Sequence, residues 1–216
     1  AGANAALKAL GRPPLVLSRL EAYIGVLIDD LVTKGTEEPY RMFTSRAEHR
    51  LVLRQDNAMF RLHEHARTLG IVSDATLIRT ATWQREIDQE IERLRRKFHE
   101  GASLAQMLKR PEAAYTALPD SRDDLHPEVV QQIEIMVKYE GYIARELERI
   151  KKAELIEHEL IPPHMDYQAI KALRRESRDK LSLIRPENLG QASRISGVNP
   201  ADIAILSVWL KRIRSA

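Results

Sequence analysis

The chain has 216 residues, 44% hydrophobic, 30% charged and 5% aromatic, with 34 Lys and Arg against 31 Asp and Glu for a formal charge of +3. That is enough apolar material for one large or two small domains, and few aromatics with many charges point to a mainly α protein with long solvated faces. Cysteine is absent, which excludes disulfides, thiolate nucleophiles and cysteine zinc sites; no apolar run approaches the ~20 residues of a membrane helix, so a cytoplasmic location off the membrane is expected.

The first ten residues, AGANAALKAL, read as the tail of an Ala-rich helix with nothing before it, the mark of a fragment, and Gly11-Arg12-Pro13-Pro14 ends that pattern. The apolar run Tyr23 to Ile28 is of strand type, and with a turn at Lys34-Gly35 and a return through Tyr40 to Phe43 it predicts a short β-hairpin. Ser45 and Glu48 have capping-box spacing, which starts a helix at Arg46 and sets Arg46, Arg50 and Arg54 on one stripe. From Ser73, Leu77, Ala81, Ile87, Ile91, Leu94 and Phe98 recur at helical spacing and predict a long amphipathic helix. Two short helices follow, one through Leu104, Met107 and Leu108 and one begun by Pro111.

Ser121 to Asp124 reads as linker, and a second long helix spans 127 to 159, with Val130, Ile133, Val137, Ile143, Leu147 and Ile150 turned inward. Gly141 interrupts it, for close packing or a kink. Ile161-Pro162-Pro163 stops this helix, and short helices divided by Pro186, Gly190 and Gly197 form the remainder. Asn199-Pro200 caps a last helix carrying Ile203, Leu206, Trp209 and Leu210, closed by Lys211, Arg212 and Arg214. The expected division is 1–60, 61–160 and a small terminal helical subdomain at 161–216.

Enzymatic chemistry finds little footing. Neither G-x-G-x-x-G nor G-x-x-x-x-G-K-[ST] occurs, so no dinucleotide or triphosphate loop can be built here. His63 and His65, two apart on a predicted helix, face different ways and are no metal pair. Asp29 and Asp30, adjacent at a strand end, diverge and suit turn capping. No catalytic, cofactor-binding or metal-binding residue is assigned. The arginines Arg41, Arg46, Arg50 and Arg54 carry two readings: phosphate binding, since guanidinium forks suit phosphate, or a solvated face answered by Glu37, Glu38, Glu48 and Asp56. Leu189 to Pro200 has the layout of a helix-turn-helix, which offers a DNA-binding regulator as an alternative function. Ala201, Asp202, Ala204 and Ser207, expected outward, are a poor set for reading base edges.

Three blocks carry a family resemblance: EPYRMFTSRAEHRLVLRQDNA at 38–58, YEGYIAR at 139–145 and GQASRISGVNPADIAIL at 190–206. They resemble the C-terminal part of the large, FAD-dependent subunit family of bacterial tRNA uridine 5-carboxymethylaminomethyl modification enzymes, the glucose-inhibited division protein A family. His49, where the family tends to have tyrosine, and Arg174-Arg175, in place of a more neutral pair, are the departures. The resemblance implies a multi-helix C-terminal module with a short strand remnant of a flavin domain at its N-terminus. It implies a parent that uses FAD and NADH to modify the wobble uridine of certain tRNAs with a GTPase partner, as a homodimer within a heterotetramer. This chain alone is then expected to be inactive. The resemblance also implies that Arg41, Arg46, Arg50 and Arg54 face tRNA phosphates with Glu48 setting their geometry, and that Arg194, Ile195, Val198, Ile205 and Trp209 serve the partner or the core.

Overall fold

The structure is a computed structural model that describes residues 1–36 and 38–214, with the backbone alone at Thr44 and Arg214. The described residues are mainly helical and form two compact units, one from residues 1–15 and 50–147, the other from 16–49 and 148 onward. Glu37, one of the carboxylates expected to answer the arginines, lies outside the described residues.

In the first unit, α1 (Gly2–Ala9) is tied to the chain beyond its Pro-Pro turn by a reciprocal pair: the Asn4 amide donates to the Leu15 carbonyl at 2.9 Å and accepts from its N–H at 2.7 Å. Short helices α3 (Ala58–Arg61) and α4 (His63–Leu69) lead to the expected long helix, α5 (Asp74–Arg96). Its first turn is capped by Ser73, whose hydroxyl accepts from the Thr76 N–H. The turn before it uses Gly70 at φ 65°, a left-handed position that glycine occupies without a Cβ clash.

Ile87, Ile91 and Leu94 are buried as their spacing predicts, but Phe98 is not the end of that stripe. The helix ends at Arg96, and Phe98–His99 (β1) pairs antiparallel with Ala102–Ser103 (β2) around Glu100 and Gly101, both at positive φ. Ser103 then builds a capping box with Gln106 for α6 (Leu104–Leu108). No α-helix begins at Pro111; a 3-10 turn at Tyr115–Ala117 stands there instead. It is pinned because the buried Tyr115 hydroxyl donates to Glu90 at 2.7 Å and its N–H donates to Glu134 at 2.6 Å. Arg93 forks onto the same Glu90, so this interior carboxylate is matched by both a cation and a phenol.

The second long helix is two. α7 (Pro127–Lys138) breaks at Tyr139 and α8 (Glu140–Glu157) resumes. A Cβ at Gly141 would meet nothing within 4 Å, so close packing does not explain this glycine, and the break falls at Tyr139, two residues before it. The core of the unit joins α5, α6 and α7 through Leu94, Leu104, Leu108, Val129 and Ile133.

The second unit overturns the predicted hairpin. Tyr23–Thr33 is a helix, α2. Its buried positions, Gly25, Val26, Asp30 and Thr33, follow helical and not alternating spacing, while Ile24, Ile28 and Val32 lie exposed. Gly25 is required: a Cβ there would lie 2.1 Å from the Ser18 carbonyl oxygen. A second core is built from the segment 161–173, α9 (Arg175–Ile184), α10 (Leu189–Arg194) and α11 (Pro200–Arg214), around Tyr167, Ile170, Leu181, Ile195 and Leu206. α11 has its expected cap, because the Asn199 amide oxygen accepts from the Asp202 N–H at 2.9 Å while the Asp202 carboxylate accepts from the Asn199 N–H at 3.0 Å.

Candidate nucleic-acid and partner interfaces

The helix expected from Arg46 to Arg54 does not form. A 3-10 turn at Thr44–Arg46 is followed by successive turns to Asn57. Side chains satisfy the backbone that a helix would have satisfied: the Asn57 amide donates to the Val52 carbonyl at 2.9 Å, and Arg54 and Arg61 donate to those of Leu51 and Arg54 at 2.8 and 3.1 Å. Glu48 leaves its intended capping role and pairs with Arg19 at 3.0 Å. The three-arginine stripe is therefore absent, and each arginine has its own surroundings.

Arg54 is engaged by neighbouring groups of the first unit. It pairs with Asp56 at 3.0 Å and donates to Gln132 at 2.7 Å, and Gln132 in turn donates to Asp56 at 2.7 Å, closing a ring of polar contacts onto α7. Burial pushes the Asp56 carboxyl up, but Gln132 and Arg54 outweigh it and hold its pKa below the usual range. Arg41 and Arg50 are exposed. Arg46 lies with its guanidinium 4.6 Å from the Tyr40 ring centroid and 5.8 Å from that of Phe43, itself 50% exposed.

Beneath Arg46, Asp30 collects the Tyr40 hydroxyl at 2.8 Å, Lys34 at 3.1 Å, Arg19 at 3.4 Å and Arg46 at 3.8 Å. Burial raises the Asp30 carboxyl, yet the Tyr40 and Lys34 hydrogen bonds and the charges of Lys34 and Arg19 prevail, so its pKa is lowered. Tyr40 is pushed the other way, by burial and then by Asp30. The carboxylate thus fixes the Tyr40 ring that carries Arg46. Asp29 and Asp30, expected to diverge and cap a turn, instead both turn to the buried Arg19 from one end of α2.

In the tail, Ile195 is 2% exposed and belongs to the core. Val198, Ile205 and Trp209 pack partly buried against the same cluster. Arg194 is held by Glu157 and, through Nε and Nη2 at 2.7 and 2.8 Å, by Asp29. Asp202, expected to face outward, is buried, accepting from Arg174 at 2.6 Å and from Ser177 at 2.7 Å. Among the described side chains the exposed positions of α11 are Pro200, Ala201, Ala204, Val208, Lys211, Arg212 and Ile213, which offer nothing suited to base edges before Lys211. His63 and His65 join no group of three metal-ligating side chains among the described residues. Among those residues no helix is long and apolar enough to cross a membrane.

Residues 52–147 match the family model for the C-terminal helical domain of the tRNA modifying enzyme MnmG/GidA, and residues 149–216 match that for its C-terminal helical bundle. The chain belongs to the MnmG/GidA family. It is 48% identical over 98% of its length to the tRNA uridine 5-carboxymethylaminomethyl modification enzyme MnmG of Clostridium novyi and 49% identical over 98% to that of Protochlamydia amoebophila. It spans 37% and 35% of those two MnmG proteins. A crystal structure of Aquifex aeolicus GidA superimposes with a TM-score of 0.85 at 42% identity, covering 97% of this chain and 35% of that one. The family assignment explains the mainly helical architecture: these are the MnmG/GidA C-terminal helical domains.

Proposed function

We propose that this chain is the tRNA- and partner-binding region of a flavin-dependent enzyme that installs a carboxymethylaminomethyl group on the wobble uridine of certain tRNAs. The match of both helical domains to MnmG/GidA carries this reading. With no glycine-rich dinucleotide loop in the chain, FAD and NADH are held elsewhere in the whole protein, which is a homodimer working with a GTPase partner in the cytoplasm. The chain by itself is inactive in this reading.

Within the second unit, the tRNA surface is Arg41 and Arg46 with the Tyr40 and Phe43 rings, a pairing of guanidinium and aromatic faces that suits phosphate and unstacked bases. Arg50, exposed, adds a further cation in the same sequence block. Glu48 sets the geometry of Arg19 and not that of these arginines. Substituting Arg41 and Arg46 together by Ala in the whole protein is expected to weaken tRNA binding about tenfold or more and to flatten its salt dependence by about two phosphate contacts. Unchanged affinity and slope would refute the assignment.

The partner surface is the exposed face of α11, Ala204 and Val208, since Ile195 is core and Arg194 is occupied internally. Ala204→Glu with Val208→Glu is expected to abolish association with the GTPase while helicity and flavin content stay at the unsubstituted level. Retained association would remove α11 from the interface.

A further inference from the structure

The start of α8 exposes side chains that neither core uses. Tyr139 and Tyr142 are 46% and 58% exposed. Between them stands Gly141, a residue that weakens a helix relative to alanine. Its φ is not positive, and a Cβ would meet no atom of the described residues within 4 Å, so neither backbone conformation nor internal packing asks for a glycine. Arg145, one helical turn from both Gly141 and Tyr142, lays its guanidinium 4.8 Å from the Tyr142 ring centroid. Its neighbours are engaged elsewhere: Arg95 and Lys109 pair with Glu140 at 2.8 and 2.6 Å, and Lys138 donates to the Ala113 carbonyl. Arg145 rests on an aromatic face, and no ion pair of the described residues includes it.

We infer that Gly141, Tyr142 and Arg145 form a stacking platform for an unpaired RNA base, with Arg145 placed to meet the phosphate next to it. A phenol ring offers every base a π face, and stacking of this kind tolerates sequence. The bare helix backbone at Gly141 lets a flat group approach where any side chain would stand off the surface. An unneutralised guanidinium beside the ring selects a polyanion over an apolar protein surface. The platform rests on the tRNA reading above and adds to it a contact in the first unit that uses stacking more than charge.

The test measures binding of an unmodified tRNA transcript to the whole protein. Tyr142→Ala is expected to cost about fivefold or more in affinity with an unchanged salt slope, whereas Tyr142→Phe and Tyr142→Trp stay within about twofold of the parent. The emission of the introduced tryptophan should be quenched by the transcript and by a single-stranded oligouridylate, and not by duplex RNA. Gly141→Leu should lower affinity as Tyr142→Ala does, with helicity retained. If Tyr142→Ala binds within twofold while the Arg41 and Arg46 double substitution loses binding, the platform is refuted and the tRNA reading stands. If neither weakens binding, both fall. Loss of GTPase association with intact RNA affinity would assign the surface to protein and overturn the platform.

Discussion

Arg194 grips Asp29 with two nitrogens, at 2.7 and 2.8 Å, across 165 residues of sequence. The contact fastens α10 to α2, and the third guanidinium nitrogen reaches Glu157 at the end of α8, so one side chain ties three segments of the second unit. All three partners are largely buried. Removing one member of a buried ion pair leaves the other charge without compensation and costs about 3–5 kcal/mol. Arg194→Ala is therefore expected to lower stability by about 3 kcal/mol in urea unfolding, even though Asp29 keeps Arg19 as a second partner. A change below about 1 kcal/mol would show that the network contributes little. Any loss of partner binding in this variant is a folding effect and does not place Arg194 in an interface.

Asp202 gives the tail an acid limit. Burial raises its carboxyl, but Arg174, the Asn199 N–H and Ser177 more than offset that and bring its pKa to about 2, below the ordinary 3.8. A carboxylate more acidic in the folded state stabilises it fully above the unfolded pKa, and that stability is lost as pH falls through the folded pKa. The contribution is about 2 kcal/mol, lost between about pH 4 and pH 2. Melting temperature measured across this window should fall less steeply for Asp202→Asn than for the parent, and parallel curves would contradict the linkage.

Gly141→Ala separates fold from function at one position. The open space around Gly141 and its ordinary helical backbone mean that alanine introduces no clash. Alanine should then stabilise the helix by about 0.5–1 kcal/mol, read as a melting temperature raised by a few degrees. A drop in stability instead would show that the glycine serves the fold.

The elements that could be read from the sequence are those whose signals are local. Ser73 before a 3.6-residue stripe announced α5, and Asn199-Pro200 announced α11, because caps and periodicity act over a few residues. The run Tyr23 to Ile28 has strand character because it is short, apolar and β-branched at Ile24, Val26 and Ile28, and such runs are ambiguous between helix and strand. What decides it is Gly25 lying against Ser18 and Asp30 meeting Arg19, contacts set by the folded chain. The candidate site fared similarly. That the 38–58 block is arginine-rich was plain, but which arginines stay exposed depends on Gln132, 78 residues from Arg54, and on where Glu48 turns. A capping-box spacing between Ser45 and Glu48 says nothing of a better partner at Arg19.

Arg54 therefore should not behave like Arg41 and Arg46. Its guanidinium is divided among Asp56, Gln132 and the Leu51 carbonyl, and it is mostly withdrawn from solvent. Arg54→Ala would leave Asp56 and Gln132 facing each other without the cation, and the carbonyl of Leu51 without that donor. Hydrogen bonds to a charged partner contribute about 1.5–3 kcal/mol in such settings. The variant should lose about 2 kcal/mol in chemical denaturation and, once folded, bind tRNA with an unaltered salt slope, since no phosphate contact is removed. A slope reduced by about one contact, with stability unchanged, would return Arg54 to the RNA surface and require its ring with Asp56 and Gln132 to open on binding.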